Sequence, residues 1–237
     1  MVLGECGRFP LSYIYFTKCI KYWCKLLQMS DTRYPKKCNK MLMLHDDIGR
    51  NNWVTNIKGL LFQYDYGYVW ISQHLRHINM FVSSFKQRFK DCSTQNWSDN
   101  VSSSSRCDTC CTFKSLLNIK TYLFIDIPFY FRKYFALFRC TSHKLNIELG
   151  RRNGLERKDR ICSFCFLNGN QLILEDEYHA FFICPTYVNI REIYLYNWYF
   201  SRAERFDFIQ LMKSCNYKKF KQLTLFVTKL MQEIENM

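Results

Sequence analysis

The chain has 237 residues, 34 Lys+Arg against 20 Asp+Glu for a formal charge of +14, and 48% hydrophobic positions, a composition that folds and sets it apart from disordered basic tails. Eight glycines and four prolines are too few turn formers for a propeller or a sandwich of short strands. The length supplies core enough to dispense with disulfide staples, and two compact parts are expected.

The longest apolar run near the N-terminus, residues 11–16, is interrupted by Lys18 and Lys21, short of a signal h-region and of the ~20 residues of a membrane span. The expectation is an intracellular protein of nucleus or cytoplasm, without a membrane or small-molecule partner. The 13 cysteines are then read in a reducing compartment, as small buried hydrophobes or metal ligands. Sequons at Asn96 and Asn100 matter only in a secreted chain.

Tyr13, Phe16, Ile20, Trp23 and Leu27 recur at steps of three and four and predict an amphipathic helix over 10–29, with Lys18, Lys21 and Lys25 off its apolar face. Further helical patterns cover 35–47, 52–63 and 80–92, the last with Phe81, Phe85 and Phe89 in register. Residues 96–105 are polar, end in four serines and read as a linker. A helix is expected over 129–140, with Phe131, Tyr134, Phe135 and Phe138 inward and Arg132, Lys133 and Arg139 outward. The stripe Leu223, Phe226, Val227, Leu230 and Ile234 predicts a last helix over 219–235. The fold class is mostly α, a helical bundle with a small zinc-binding module near the C-terminus.

That module is read from Cys162-x2-Cys165-x13-His179-x4-Cys184. Three thiolates and an imidazole suit tetrahedral Zn2+, and four protein ligands leave no position for an activated water, so the site is expected to be structural. Glu175, Asp176 and Glu177 read as an acidic helix start that favours the positive dipole end.

The segment Phe138-Arg-Cys-Thr-Ser-His-Lys-Leu-Asn-Ile-Glu-Leu-Gly-Arg-Arg152, with Glu156-Arg157, Arg160-Ile-Cys162, Cys165, Glu175-Asp-Glu-Tyr-His179 and Cys184-Pro-Thr-Tyr187, resembles the C-terminal tail of non-LTR retrotransposon reverse transcriptases. Upstream, Gly4-Glu-Cys-Gly-Arg-Phe-Pro-Leu11, Lys21-Tyr-Trp23 and Asn52-Trp53 look like the region joining the polymerase core to that tail. The resemblance implies a helical connection over 1–100, a basic helix and zinc module over 101–200, and a C-terminal helix over 201–237. It implies Zn2+ on Cys162, Cys165, His179 and Cys184, with template RNA or target DNA as partner.

The carboxylates that hold two metals in a polymerase have no counterpart, since Leu44-His45-Asp46-Asp47 lacks the preceding aromatic and falls at a helix end. Neither a nuclease motif nor a phosphate-binding glycine loop is found, so no catalytic residue is assigned. The chain looks like a detached or truncated tail, with Met1 internal to a longer frame. Between 132 and 160, Arg132, Lys133, Arg139, Lys144, Arg151, Arg152, Arg157, Lys158 and Arg160 stand against three acids, the charge pattern of phosphate-backbone binding. Arg151, Arg152, Arg157 and Arg160 are expected to make the principal contact. A second metal site from Cys107, Cys110, Cys111, Cys140 and His143 is conceivable, although free thiols account for them as well. The competing function is a zinc module for protein–protein interaction.

Overall fold

A computed structural model describes residues 2–104, 106, 109, 112, 114, 116–195, 204–214 and 216–236. Among these the chain is helical, with two isolated antiparallel bridges, Cys6 to Ile119 and Ile161 to Leu174, as its β structure. It forms two compact units, one of Phe9–Asn96 and one of Met1–Arg8 together with Trp97–Met237.

The first unit contains α1 (Leu11–Gln28), α2 (Tyr34–Asp47), α3 (Trp53–Gln63), α4 (Gly67–Ser72) and most of α5 (Ile78–Ser102). Its core joins Ile20, Trp23 and Cys24 of α1 to Ile57 and Leu61 of α3, Val69 of α4, and Phe81, Val82, Phe85 and Phe89 of α5. Asn52 starts α3 with a capping box: its Oδ1 accepts from the Val54 amide at 2.8 Å, and its own amide donates to Thr55 Oγ1 at 3.0 Å. Asp46 accepts from Thr55 Oγ1 at 2.6 Å and from Lys58 at 3.0 Å, which ties the end of α2 to α3. Those two partners hold its carboxyl below the usual carboxylate range, Thr55 contributing most.

The expected linker over 96–105 is helical as far as Ser102. Trp97 and Val101 extend the i, i+4 register of Phe81, Phe85 and Phe89, and Val101 is buried. A Cβ on Gly4 would lie 2.9 Å from the Trp97 ring, so the N-terminal residues pack against this end of the helix.

In the second unit come α6 (Phe129–Arg139), α7 (Asn146–Arg152), α8 (Ser163–Gly169), α9 (Val188–Tyr194), α10 (Arg205–Lys213) and α11 (Tyr217–Asn236). Leu223, Phe226, Val227, Leu230 and Ile234 of α11 are all buried, with Phe220 and Phe226 meeting Phe135 and Phe181 at centroid distances of 5.0 and 4.6 Å. Arg139 departs from its expected outward position. It is 2% exposed, and its Nε donates to Glu5 Oε2 at 3.2 Å. Tyr122 donates to the same oxygen at 2.7 Å and Lys114 to Oε1 at 3.3 Å. Burial acts to raise the Glu5 carboxyl, but Arg139, Tyr122 and Lys114 together hold it below its usual value.

Candidate metal centre

Cys162 precedes α8, and the Phe166 amide donates back to its carbonyl at 3.0 Å, so Cys165 falls in the first turn on the same side. Asn170 closes the helix in the left-handed conformation at φ 49°, and the chain returns antiparallel to its entry. The Cys162 amide then donates to Ile173 O at 2.8 Å and the Glu175 amide to Arg160 O at 3.0 Å.

The second ligand pair lies on one short helical stretch. Asp176 caps it, its Oδ1 accepting from the His179 amide at 2.7 Å, as the acidic start predicts. From His179 to Ile183 the stretch is a π turn, closed by the Cys184 amide donating to His179 O at 2.8 Å. An i to i+5 bond brings residues five apart into adjacency, which is what the x4 spacing needs.

The four ligand atoms lie within 4.8 Å of one another, and all four residues are buried. Cys162 and Cys184 Sγ are 3.7 Å apart, and Cys165 Sγ is 3.5 Å from His179 Nε2. Ligands ~2.3 Å (S) and ~2.0–2.1 Å (N) from a tetrahedral ion stand about 3.8 and 3.6 Å apart respectively. The cluster therefore fits a single four-coordinate metal ion. Burial pushes the Cys162 thiol up to about 12 and raises Cys165. For Cys184 burial is outweighed by hydrogen bonding with His179 and Thr186, which brings it to about 7.

Two surrounding features have no signature in the spacing. Arg191 of α9 is 3% exposed and donates to Cys184 O at 2.5 Å and Ala180 O at 3.4 Å, with no carboxylate in ion-pair range among the described residues. His179 Nδ1 is buried without a hydrogen-bond partner among the described residues.

The expected basic surface divides. Arg139 is removed from it by burial, as described above. Arg132 donates to the carbonyls of Ile125 and Ile127 at 2.7 and 3.1 Å. Arg151 pairs with Glu148 at 2.8 Å. Arg160 donates to Leu155 O at 2.9 Å and Ile147 O at 3.2 Å, and its stem covers Gly150, where a Cβ would lie 2.7 Å from it. These arginines bind the protein's own backbone and carboxylates. Lys133, Lys144, Arg152, Arg157 and Lys158 are exposed; Lys144 reaches Glu235 O at 3.2 Å, and Lys158 makes a surface pair with Glu156.

Cys107, Cys110 and Cys111 of the conceivable second metal site lie outside the described residues. His143 turns Nε2 toward Glu177, 3.0 Å from Oε1, while Thr109 donates to Glu177 Oε2 at 2.6 Å. Burial raises the Cys140 thiol to about 11. No family model, curated protein or solved structure matches this chain.

Proposed function

We propose that the chain is a Zn2+-stabilised, nucleic-acid-binding tail of the non-LTR reverse-transcriptase type. Cys162, Cys165, His179 and Cys184 would hold the ion. Three thiolates on a divalent cation leave one net negative charge, and the buried Arg191 guanidinium beside Cys184 offsets it. Zinc with four protein ligands supplies a cross-link and no activated water.

The observation that carries the nucleic-acid reading is the stretch between α7 and Cys162. Both its ends are fixed: Asn146 Nδ2 donates to Ile161 O at 2.8 Å, and Arg160 spans to Ile147 and Leu155. Between them Arg152, Arg157 and Lys158 project cations from a held backbone. Guanidinium groups suit phosphate through paired donors, giving contact indifferent to base sequence.

Binding of the full chain to single-stranded RNA across a salt series tests it. Replacing Arg152, Arg157 and Lys158 with Ala is expected to weaken binding and reduce the log–log salt slope by about 2, at ~0.7 per phosphate contact, with zinc content unchanged. An unaltered slope refutes the reading in favour of a protein-interaction module.

A further inference from the structure

While one face of α1 builds the core of the first unit, another stripe carries Leu11, Tyr15, Lys18, Tyr22 and Lys25, at alternating steps of four and three, all exposed. The helix has three lysines and no carboxylate. Beside this stripe, between α1 and α3, is a cleft of about 410 Å³ lined by Tyr15, Phe16, Trp53, Asn56, Gly59 and Gln63 among others, none of them acidic. Tyr22 packs edge-on to Trp53 at 5.9 Å, which steadies the indole. The exposed amide side chains of Asn56 and Gln63 make no hydrogen bond among the described residues.

Gly59 is the informative residue. A glycine inside a helix weakens it relative to alanine, and here neither backbone nor packing requires one. Its φ is not positive, and a Cβ built on it meets nothing within 4 Å. What the missing side chain provides is an open cleft floor that a flat group can approach closely.

We propose that this cleft binds a base of a single-stranded nucleic acid. The base lies against Tyr15 and Trp53 over Gly59, Asn56 and Gln63 offer donors and acceptors to its edges, and the flanking phosphates follow Lys18 and Lys25. The charge selects the occupant, because an acid-free lysine helix beside an aromatic cleft complements a polyanion that carries planar rings. This site shares its partner class with the zinc-module reading but stands on other residues.

The test uses the full chain with a thymidine oligonucleotide of roughly 15 nucleotides and an abasic strand of equal length, lengths on the scale of single-strand binding sites. Gly59→Leu, which fills the floor, and Tyr15→Ala, which removes a stacking ring, are each expected to weaken binding to the base-bearing strand at least about fivefold and leave the abasic strand unaffected. Lys18→Ala with Lys25→Ala should weaken both and lower the salt slope by about 1.4. If Gly59→Leu loses its helical circular dichroism, the exposed Tyr15 decides alone. Unchanged oligonucleotide binding in Tyr15→Ala, or a Gly59→Leu effect confined to self-association of the chain, overturns the proposal. A wild type with no affinity for either strand overturns this proposal, while the zinc-module reading stands or falls on its own RNA salt series. Loss on Arg152, Arg157 and Lys158 replacement with no loss at Gly59 and Tyr15 overturns this one alone.

Discussion

Glu5→Gln keeps the shape of a buried side chain and deletes the only carboxylate that Arg139 and Lys114 meet at ion-pair distance among the described residues. In the native protein Glu5 accepts from Arg139, Lys114 and Tyr122, and the Arg139 and Lys114 side chains are 2% and 1% exposed. Water cannot take over the lost charge. Breaking a buried pair by removing one partner costs about 3–5 kcal/mol, and here one carboxylate serves two buried cations, so a loss within that range is expected. Against a total stability of roughly 5–15 kcal/mol, this is a large fraction. Urea unfolding of the full chain measures it as a lowered midpoint for the transition that includes Met1–Arg8 and Trp97–Met237. Asp65→Asn is the control: Asp65 and Arg88 pair with side chains 73% and 50% exposed, so a change of about 0–1 kcal/mol is expected. The acid limb gives a second readout. Because the folded Glu5 carboxyl sits below its usual 4.5, its stabilisation is complete above the unfolded value and is lost as pH falls through the folded one. Glu5→Gln should therefore flatten the stability profile below about pH 4.5. A loss under ~1 kcal/mol, equal to that of Asp65→Asn, refutes the assignment of Glu5 as the charge that neutralises this core.

Cys165→Ser is expected to abolish the one bound zinc and lower the stability of its unit, since metal binding is coupled to folding; undiminished zinc on metal analysis refutes the ligand set. Arg191→Met retains bulk and removes the cation at Cys184, and should weaken zinc about 10–100-fold in chelator competition, the scale for lost outer-shell support. Asn52→Ala removes the cap of α3 and the two carbonyl contacts of its Nδ2, to Leu42 at 2.9 Å and Arg50 at 3.0 Å. A loss of about 1–2 kcal/mol is expected, read as a lower melting temperature. Primer extension with magnesium or manganese should give no template-directed product; incorporation abolished by Asp46→Ala would refute the reading of Asp46 as a tie between α2 and α3.

The six longer helices and the ligand set are legible in the sequence for one reason, that each rests on a local period; α4 and α7 to α10, at 6 to 9 residues, are too short to show one. Steps of three and four mark the buried faces of α1, α5, α6 and α11, and Cys-x2-Cys with His-x4-Cys marks a metal cluster before any backbone is traced. Charge has no such period. Arg132, Arg139, Arg151 and Arg160 are indistinguishable in sequence from Arg152 and Arg157, yet the first four bind Glu5, Glu148 and backbone carbonyls, while the other two reach the surface. For Arg139 the reason is a partner distant in the chain, Glu5 lying 134 residues away, so no window of sequence contains both; for Arg132, Arg151 and Arg160 the partners lie within 13 residues, and only the folded backbone turns those groups toward them. The serine run misleads in the opposite direction, since Trp97 and Val101 continue a helical face through a composition that looks like a linker. Gly59 combines both lessons. The sequence gives no reason for a glycine at that point in a helix, and only the open cleft beside it supplies one. Positive charge along this chain is therefore divided between holding the fold and facing outward, and a binding surface has to be assigned by where each cation ends.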